Sequence, residues 1–144
     1  MRKQCIIGKI RTISLKSDKF VDKKIKERNL PVLKSHIPLF FILPESKERM
    51  LFNEVAKEWD ISKSSLSDII NKYEVMDILE KCICPNDKRL VYVSLTDKAL
   101  EIRKNLDEIE REFLNILLKD FSENERKIYE EYMEMSLKNV VTIK

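Results

Sequence analysis

The sequence predicts a mainly α-helical protein with a small β-wing: a winged helix-turn-helix set between N- and C-terminal dimerisation helices. Three observations carry that expectation. Phe52, Val55, Ala56 and Trp59, and then Leu66, Ile69, Ile70 and Tyr73, repeat the i, i+3, i+4, i+7 spacing of two short amphipathic helices across a brief break. Two strand-like runs follow directly, joined by the turn sequence Pro85-Asn86-Asp87-Lys88. A chain of 144 residues that is 43% hydrophobic and 37% charged, with one glycine, is also globular and helix-rich. Disordered chains carry fewer large apolar residues, and β-rich folds need more turn-forming glycine.

A first helix is expected from Cys5 to about Ile25, on the broken apolar stripe Ile6, Ile10, Ile13, Phe20 and Val21. Asn29-Leu30-Pro31 is a loop. Ser35 is the expected N-cap of a second helix, His36 to Leu43, with Pro38 in its first turn and Pro44 as its stop. Within the helix-turn-helix, Asp60-Ile61 is the break and Ser62 the N-cap of the second helix, which ends near Val75–Asp77. The hairpin pairs Leu79–Cys84 with Leu90–Leu95, where Val91, Val93 and Leu95 alternate against Leu90, Tyr92 and Ser94. Thr96-Asp97 caps a long helix carrying Ala99, Ile102, Leu106, Ile109, Phe113 and Leu117. Ser122-Glu123-Asn124-Glu125 reads as a capping box for a last helix with Ile128, Tyr129, Tyr132, Met133, Leu137 and Val140. These terminal helices are too apolar on one side to stand alone and need each other or a second copy of the chain. The expected division is a helical dimerisation region at 1–34 and 97–144, around a winged module at 35–96.

Several classes of function are disfavoured. No apolar run approaches the roughly 20 residues of a membrane span, and no signal-peptide core follows Met1–Lys3, so a cytoplasmic location is expected. Cys5, Cys82 and Cys84 are an odd number, against a disulfide framework. Cys82-x-Cys84 lacks zinc-knuckle spacing and reads as wing or core packing; with His36 the single histidine, no metal or other cofactor is expected. Gly-rich phosphate loops, nucleophile elbows and His-Glu-x-x-His are all missing, so catalysis is not expected. The net charge of +3 is uneven, with ten Lys/Arg against three Asp/Glu in residues 1–28. A basic N-terminal segment suits nucleic acid or an acidic partner, but also an ordinary solvated helix face.

The run Ile61-Ser62-Lys63-Ser64-Ser65-Leu66-Ser67-Asp68-Ile69-Ile70-Asn71-Lys72-Tyr73-Glu74 is followed by Asp87-Lys88-Arg89 and by Ser94-Leu95-Thr96 at a strand-to-helix junction. In this combination the chain resembles the MarR family of bacterial transcription regulators, over about residues 5 to 141. The resemblance implies a triangular homodimer with interlocked terminal helices, whose two winged modules read a pseudo-palindromic site in double-stranded DNA. Members of the family often respond to small aromatic or phenolic ligands, or to oxidants, in a cleft between the dimer region and the DNA-reading lobe, and a ligand-responsive repressor is the expectation for this chain. The chain departs from the family pattern at Asp68, where many members are basic, and at Asp77 and Ala99, where glycine is common. Aspartate at 77 still permits a left-handed turn.

Lys63, Ser64, Ser65, Ser67, Asp68 and Lys72 avoid the apolar stripe of the second helix and are the candidates for base edges and phosphates in a major groove. In the wing, Arg89 is the candidate for a narrow minor groove, where the negative potential favours a guanidinium. The resemblance suggests that Asp87 orients it, and Lys88 is a candidate phosphate contact. His36 and Phe40 are candidates for lining the effector cleft, although a lone histidine is more often a surface or cap residue. The competing reading is a winged-helix protein-interaction module that has lost DNA binding. It rests on the near-neutral charge of residues 29–89 and on acidic Asp68.

Overall fold

The computed structural model describes residues 5–144; Arg2 and Lys3 of the basic N-terminal run lie outside the described residues. The chain divides after Glu110 into two compact units. The first contains α1 (Ile6–Glu27), a 3-10 turn (Lys34–His36), α2 (Ile37–Ile42), β1 (Met50–Leu51), α3 (Phe52–Trp59), α4 (Lys63–Val75), β2 (Leu79–Ile83) and β3 (Val91–Leu95). Helix α5 (Asp97–Leu117) begins in it, and α6 (Glu123–Val140) belongs to the second unit.

The predicted apolar stripes form one core. Leu39, Phe40, Val55, Leu66, Ile70, Tyr73, Val93 and Ala99 are all essentially inaccessible and belong to a single cluster in the first unit. Each fully buried Leu, Ile or Phe contributes about 1.5–3 kcal/mol. Such burial lets helices as short as α2 and α3 persist, since isolated helices of that length are unstable in water.

Turns are built without glycine, whose single copy lies inside α1. Asn29, Asp60 and Asp77 take the left-handed conformation, at φ of 52°, 56° and 59°. Asn and Asp tolerate this region better than other side chains. Asp60 ends α3 and Asp77 follows α4, so the C-terminal ends of both helices of the helix-turn-helix are turned by a short polar residue.

Two expectations are corrected. Ser35 is not an N-cap: residues 34–36 wind into the 3-10 turn, and His36 precedes α2 without any side-chain cap. Tertiary bonds hold that turn instead, because the Leu33 N–H donates to the Tyr73 hydroxyl at 3.3 Å and His36 Nδ1 lies 2.7 Å from the same oxygen. At the other end of α2, Arg103 of α5 donates to the carbonyls of Phe40 and Leu43 at 2.9 and 3.4 Å, satisfying groups that a helix C-terminus leaves unpaired. The wing also has a third strand. Order in the antiparallel sheet is β1-β3-β2, with Met50 opposite Val93 and Leu51 opposite Tyr92. As the central strand, β3 buries Val93, Ser94 and Leu95 in succession, so the expected alternation between two faces is not what burial follows there. Two residues are too few to carry a period, which is why β1 is invisible in sequence.

Beyond Glu110, the capping box forms as expected: Ser122 Oγ accepts from the Glu125 N–H at 3.1 Å, and Glu125 Oε1 accepts from the Ser122 N–H at 2.9 Å. Phe121 meets Tyr129 edge to face at 5.5 Å. Tyr132, Met133, Leu137 and Val140 of α6 are exposed, and so are Ile6, Ile7 and Ile10 of α1.

Two outcomes are expected. Tyr73→Phe removes one hydroxyl and leaves the Leu33 N–H without its acceptor, costing about 1–2 kcal/mol in urea unfolding. Burial, and then the Lys72 ammonium, hold the His36 pKa below its ordinary 6.5. The unfolded chain therefore takes up this proton at a higher pH than the folded one. The stability contributed by neutral His36 is complete above pH 6.5 and is lost as pH falls toward the folded-state value. In paired denaturant titrations, the stability difference between wild type and His36→Gln is flat above pH 6.5 and shrinks below it.

Candidate nucleic-acid interface

Helix α4 is laid down by its cap. Ser62 is extended and its Oγ accepts from the Ser65 N–H at 3.1 Å while donating to Ser65 Oγ at 2.9 Å. The first turn carries no acidic residue, so the positive end of the helix dipole is open to an anion. Leu66, Ile70 and Tyr73 point inward, leaving Lys63, Ser64, Ser65, Ser67, Asp68 and Lys72 exposed as one polar side. All six candidates are thus brought together on the outer side of α4. Ser65 is committed to the cap through its hydroxyl, and Lys72 Nζ lies 5.5 Å above the Tyr73 ring.

Asn71 and Lys81 complete this side and were not among the candidates. Lys81 Nζ, from β2, donates to Asn71 Oδ1 at 3.3 Å and stands 4.0 Å from Glu74. Asn71 follows Ser67 and Asp68 by four and three positions, and that helical spacing is the signal that identifies it. Lys81 had no such signal, because only the packing of β2 on α4 brings it there.

The wing tip is ordered by Asp87. Its carboxylate accepts from Arg89 Nε at 3.1 Å, from Arg89 Nη2 at 3.3 Å and from the Arg89 backbone N–H at 3.0 Å. These bonds hold the Asp87 carboxyl below the usual carboxylate range. The Arg89 side chain is 91% exposed, so the pair aims a guanidinium outward at the tip while its flank is occupied. Lys88 is exposed beside it. At the base, Thr96 Oγ1 donates toward the carbonyls of Asp77 and Ile78 at 2.7 and 3.0 Å and accepts from the Ala99 N–H at 3.2 Å. One hydroxyl thus ties the end of α4, the start of β2 and the cap of α5.

The two effector-cleft candidates both pack beside α4. Phe40 is wholly buried and meets the Tyr73 ring at 6.1 Å. His36 stands edge-on between Trp59 and Tyr73, at 6.3 and 5.5 Å. Both are engaged in seating α4. An open groove of about 580 Å³ lies at the end of α1, lined by Asp22, Ile25, Lys26, Asn29, Leu30, Val32, Leu33 and Lys34.

Ser62→Ala is expected to cost about 1 kcal/mol through loss of the cap, read by urea unfolding, while exposed Ser64→Ala stays within about 0.5 kcal/mol.

No family model matches the sequence. A curated relative, the HTH-type transcriptional regulator BilQ of Clostridioides difficile (strain CD3), is 29% identical over 89 residues. That match covers 61% of this chain and 60% of the relative's length. Among solved structures, MarR superposes with a TM-score of 0.78 at 17% identity, covering 99% of this chain and 95% of the other. A MarR transcriptional regulator from Methanosarcina mazei Go1 gives 0.78 at 20% identity, covering 96% and 98%. The S. aureus MepR–DNA complex gives 0.75 at 16% identity, covering 95% and 99%. With its capped α4, three-stranded wing and flanking helices matched along nearly the full chain, this protein has the winged helix-turn-helix fold of the MarR regulators.

Proposed function

We propose that this protein is a sequence-specific DNA-binding transcription regulator that acts as a homodimer on a pseudo-palindromic site in duplex DNA. The observation that carries the reading is the pairing of two outward-facing elements. One is the polar outer side of α4, interrupted only at its last residue by exposed Val75 and opened by an N-terminus free of acidic residues; the other is the wing tip, where Asp87 orients an almost fully exposed Arg89. A helix of this size fits a major groove, and a single guanidinium on a β-ribbon suits the adjoining minor groove. The solved MepR structure, which has the same fold, is itself a DNA complex.

Homodimerisation is supported by the apolar residues left bare on α1 and on α6. An exposed apolar helix face is characteristic of an interaction site, and a two-fold arrangement of two winged modules matches a two-fold DNA site. Asp68 is compatible with this role, since a carboxylate accepts from cytosine N4. Dimer binding over a promoter favours repression, by steric exclusion of the transcription machinery.

The test begins by recovering genomic fragments bound by the full-length protein and titrating the enriched duplex by fluorescence anisotropy across salt concentrations. The expected result is saturable binding whose log affinity falls by about 0.9 per neutralised phosphate per log unit of salt. No saturable duplex binding at any salt would leave the protein-interaction module as the surviving reading. On the same duplex, Arg89→Ala is expected to weaken binding by about 1–3 kcal/mol, and Lys88→Ala to lower the salt slope by about one unit.

A further inference from the structure

The wing carries a pair of thiols on its other face. Side chains two apart on a strand share a face. Lys81 reaches Asn71 and Glu74 of α4, so the odd-numbered positions of β2 face that helix while Glu80 and Cys82 face away. The ladder continues past β2, since the Cys84 N–H donates to the Leu90 carbonyl at 2.9 Å, and Cys84 shares the face of Cys82. Tyr92 lies opposite Cys82 in β3. Both thiols are free and half-buried, whereas cysteines used only for packing are among the most fully buried of side chains.

We propose that Cys82 and Cys84 form a chelating dithiolate site for a soft, two-coordinate monovalent metal cation of the copper(I) or silver(I) type. Strand geometry places their Cβ atoms about 6.5 Å apart, and a disulfide requires about 3.5–4.5 Å. An internal disulfide would therefore demand backbone distortion. A bridging ion removes the conflict. With sulfur–metal bonds of about 2.3 Å, the length known for zinc thiolates, two sulfurs on opposite sides of an ion stand about 4.6 Å apart. Rotation about χ1 brings both sulfurs toward that span with the backbone at rest.

Ligand number selects the ion. Structural zinc takes four ligands, but among the described residues no group of three or more His, Cys, Asp or Glu is gathered to hold a metal. A lone pair of thiolates suits soft ions satisfied by two sulfurs. Each thiol gives its proton to solvent as its sulfur takes the metal, so one monovalent ion displaces two protons and leaves a singly negative site. Pro85 follows Cys84 directly and opens the turn that ends in Arg89.

The test uses the full-length chain carrying Cys5→Ser, reduced and in thiol-free buffer, titrated with silver(I) as a redox-inert probe. Native mass spectrometry is expected to show one ion per chain, with two protons released per ion in a weakly buffered titration. Cys82→Ser and Cys84→Ser are each expected to weaken binding by about 100-fold or more, because closing the second bond within one chain acts as a high effective concentration. Two ions per chain, one proton per ion, unchanged affinity in the single variants, or no binding at micromolar silver would each overturn the site. None of these readouts involves DNA, so a failure here is distinguishable from a failure of the proposed regulator role.

Discussion

The outer side of α4 has a defined direction only because its inner side is seated. The helix is 13 residues long, near the length at which isolated helices are marginal in water. Leu66, Ile70 and Tyr73 are at most 1% exposed, and their burial fixes both the rotation of α4 about its axis and its depth in the module. Tyr73 does more than fill space. Its hydroxyl accepts the Leu33 N–H and pairs with the His36 ring, while its ring meets Phe40 edge-on. The loop between α1 and α2 is thereby held by the residue that anchors the last turn of α4.

The junction between α4 and the wing is also stiff. The single glycine of the chain lies in α1, so the left-handed turns at Asp60 and Asp77 are made by residues with fewer accessible conformations when unfolded. Thr96 then joins the end of α4, β2 and α5 through one hydroxyl, and Lys98 adds a bond to the Met76 carbonyl at 2.9 Å. The base of the wing and the exit of α4 consequently form one body. A groove reader benefits from such preorganisation, because ordering loops at the moment of binding subtracts from affinity.

The charges at the wing tip serve direction more than stability. An ion pair as exposed as Asp87–Arg89 contributes little to folding. Its two bonds to the guanidinium instead limit the rotamers of a long side chain and leave its far edge free. Arg103 shows the contrasting use of the same chemistry. It lies mostly under the surface, its guanidinium 4.9 Å from the Phe41 ring, and closes the end of α2 through two carbonyls.

Local chemistry with a short period was legible in the sequence. The i, i+3, i+4, i+7 stripes of α3 and α4, the Ser62 cap, the Ser122–Glu125 box and the turn at Pro85–Lys88 each depend on residues a few positions apart, so neighbouring side chains alone determine them. Sorting inward from outward residues by the same period placed all six α4 candidates on the exposed side. What only the tertiary structure decided depends on partners far along the chain. The strand at Met50–Leu51 exists because β3 offers it a ladder, and the turn at Lys34–His36 replaces the expected Ser35 cap because Tyr73 supplies the bonds. Phe40 and His36 belong to the seat of α4, and Lys81 reaches the outer side of α4 from β2. Two residues have no period, and a hydrogen bond spanning some forty positions leaves no local trace: that is the physical limit of reading this chain from its sequence.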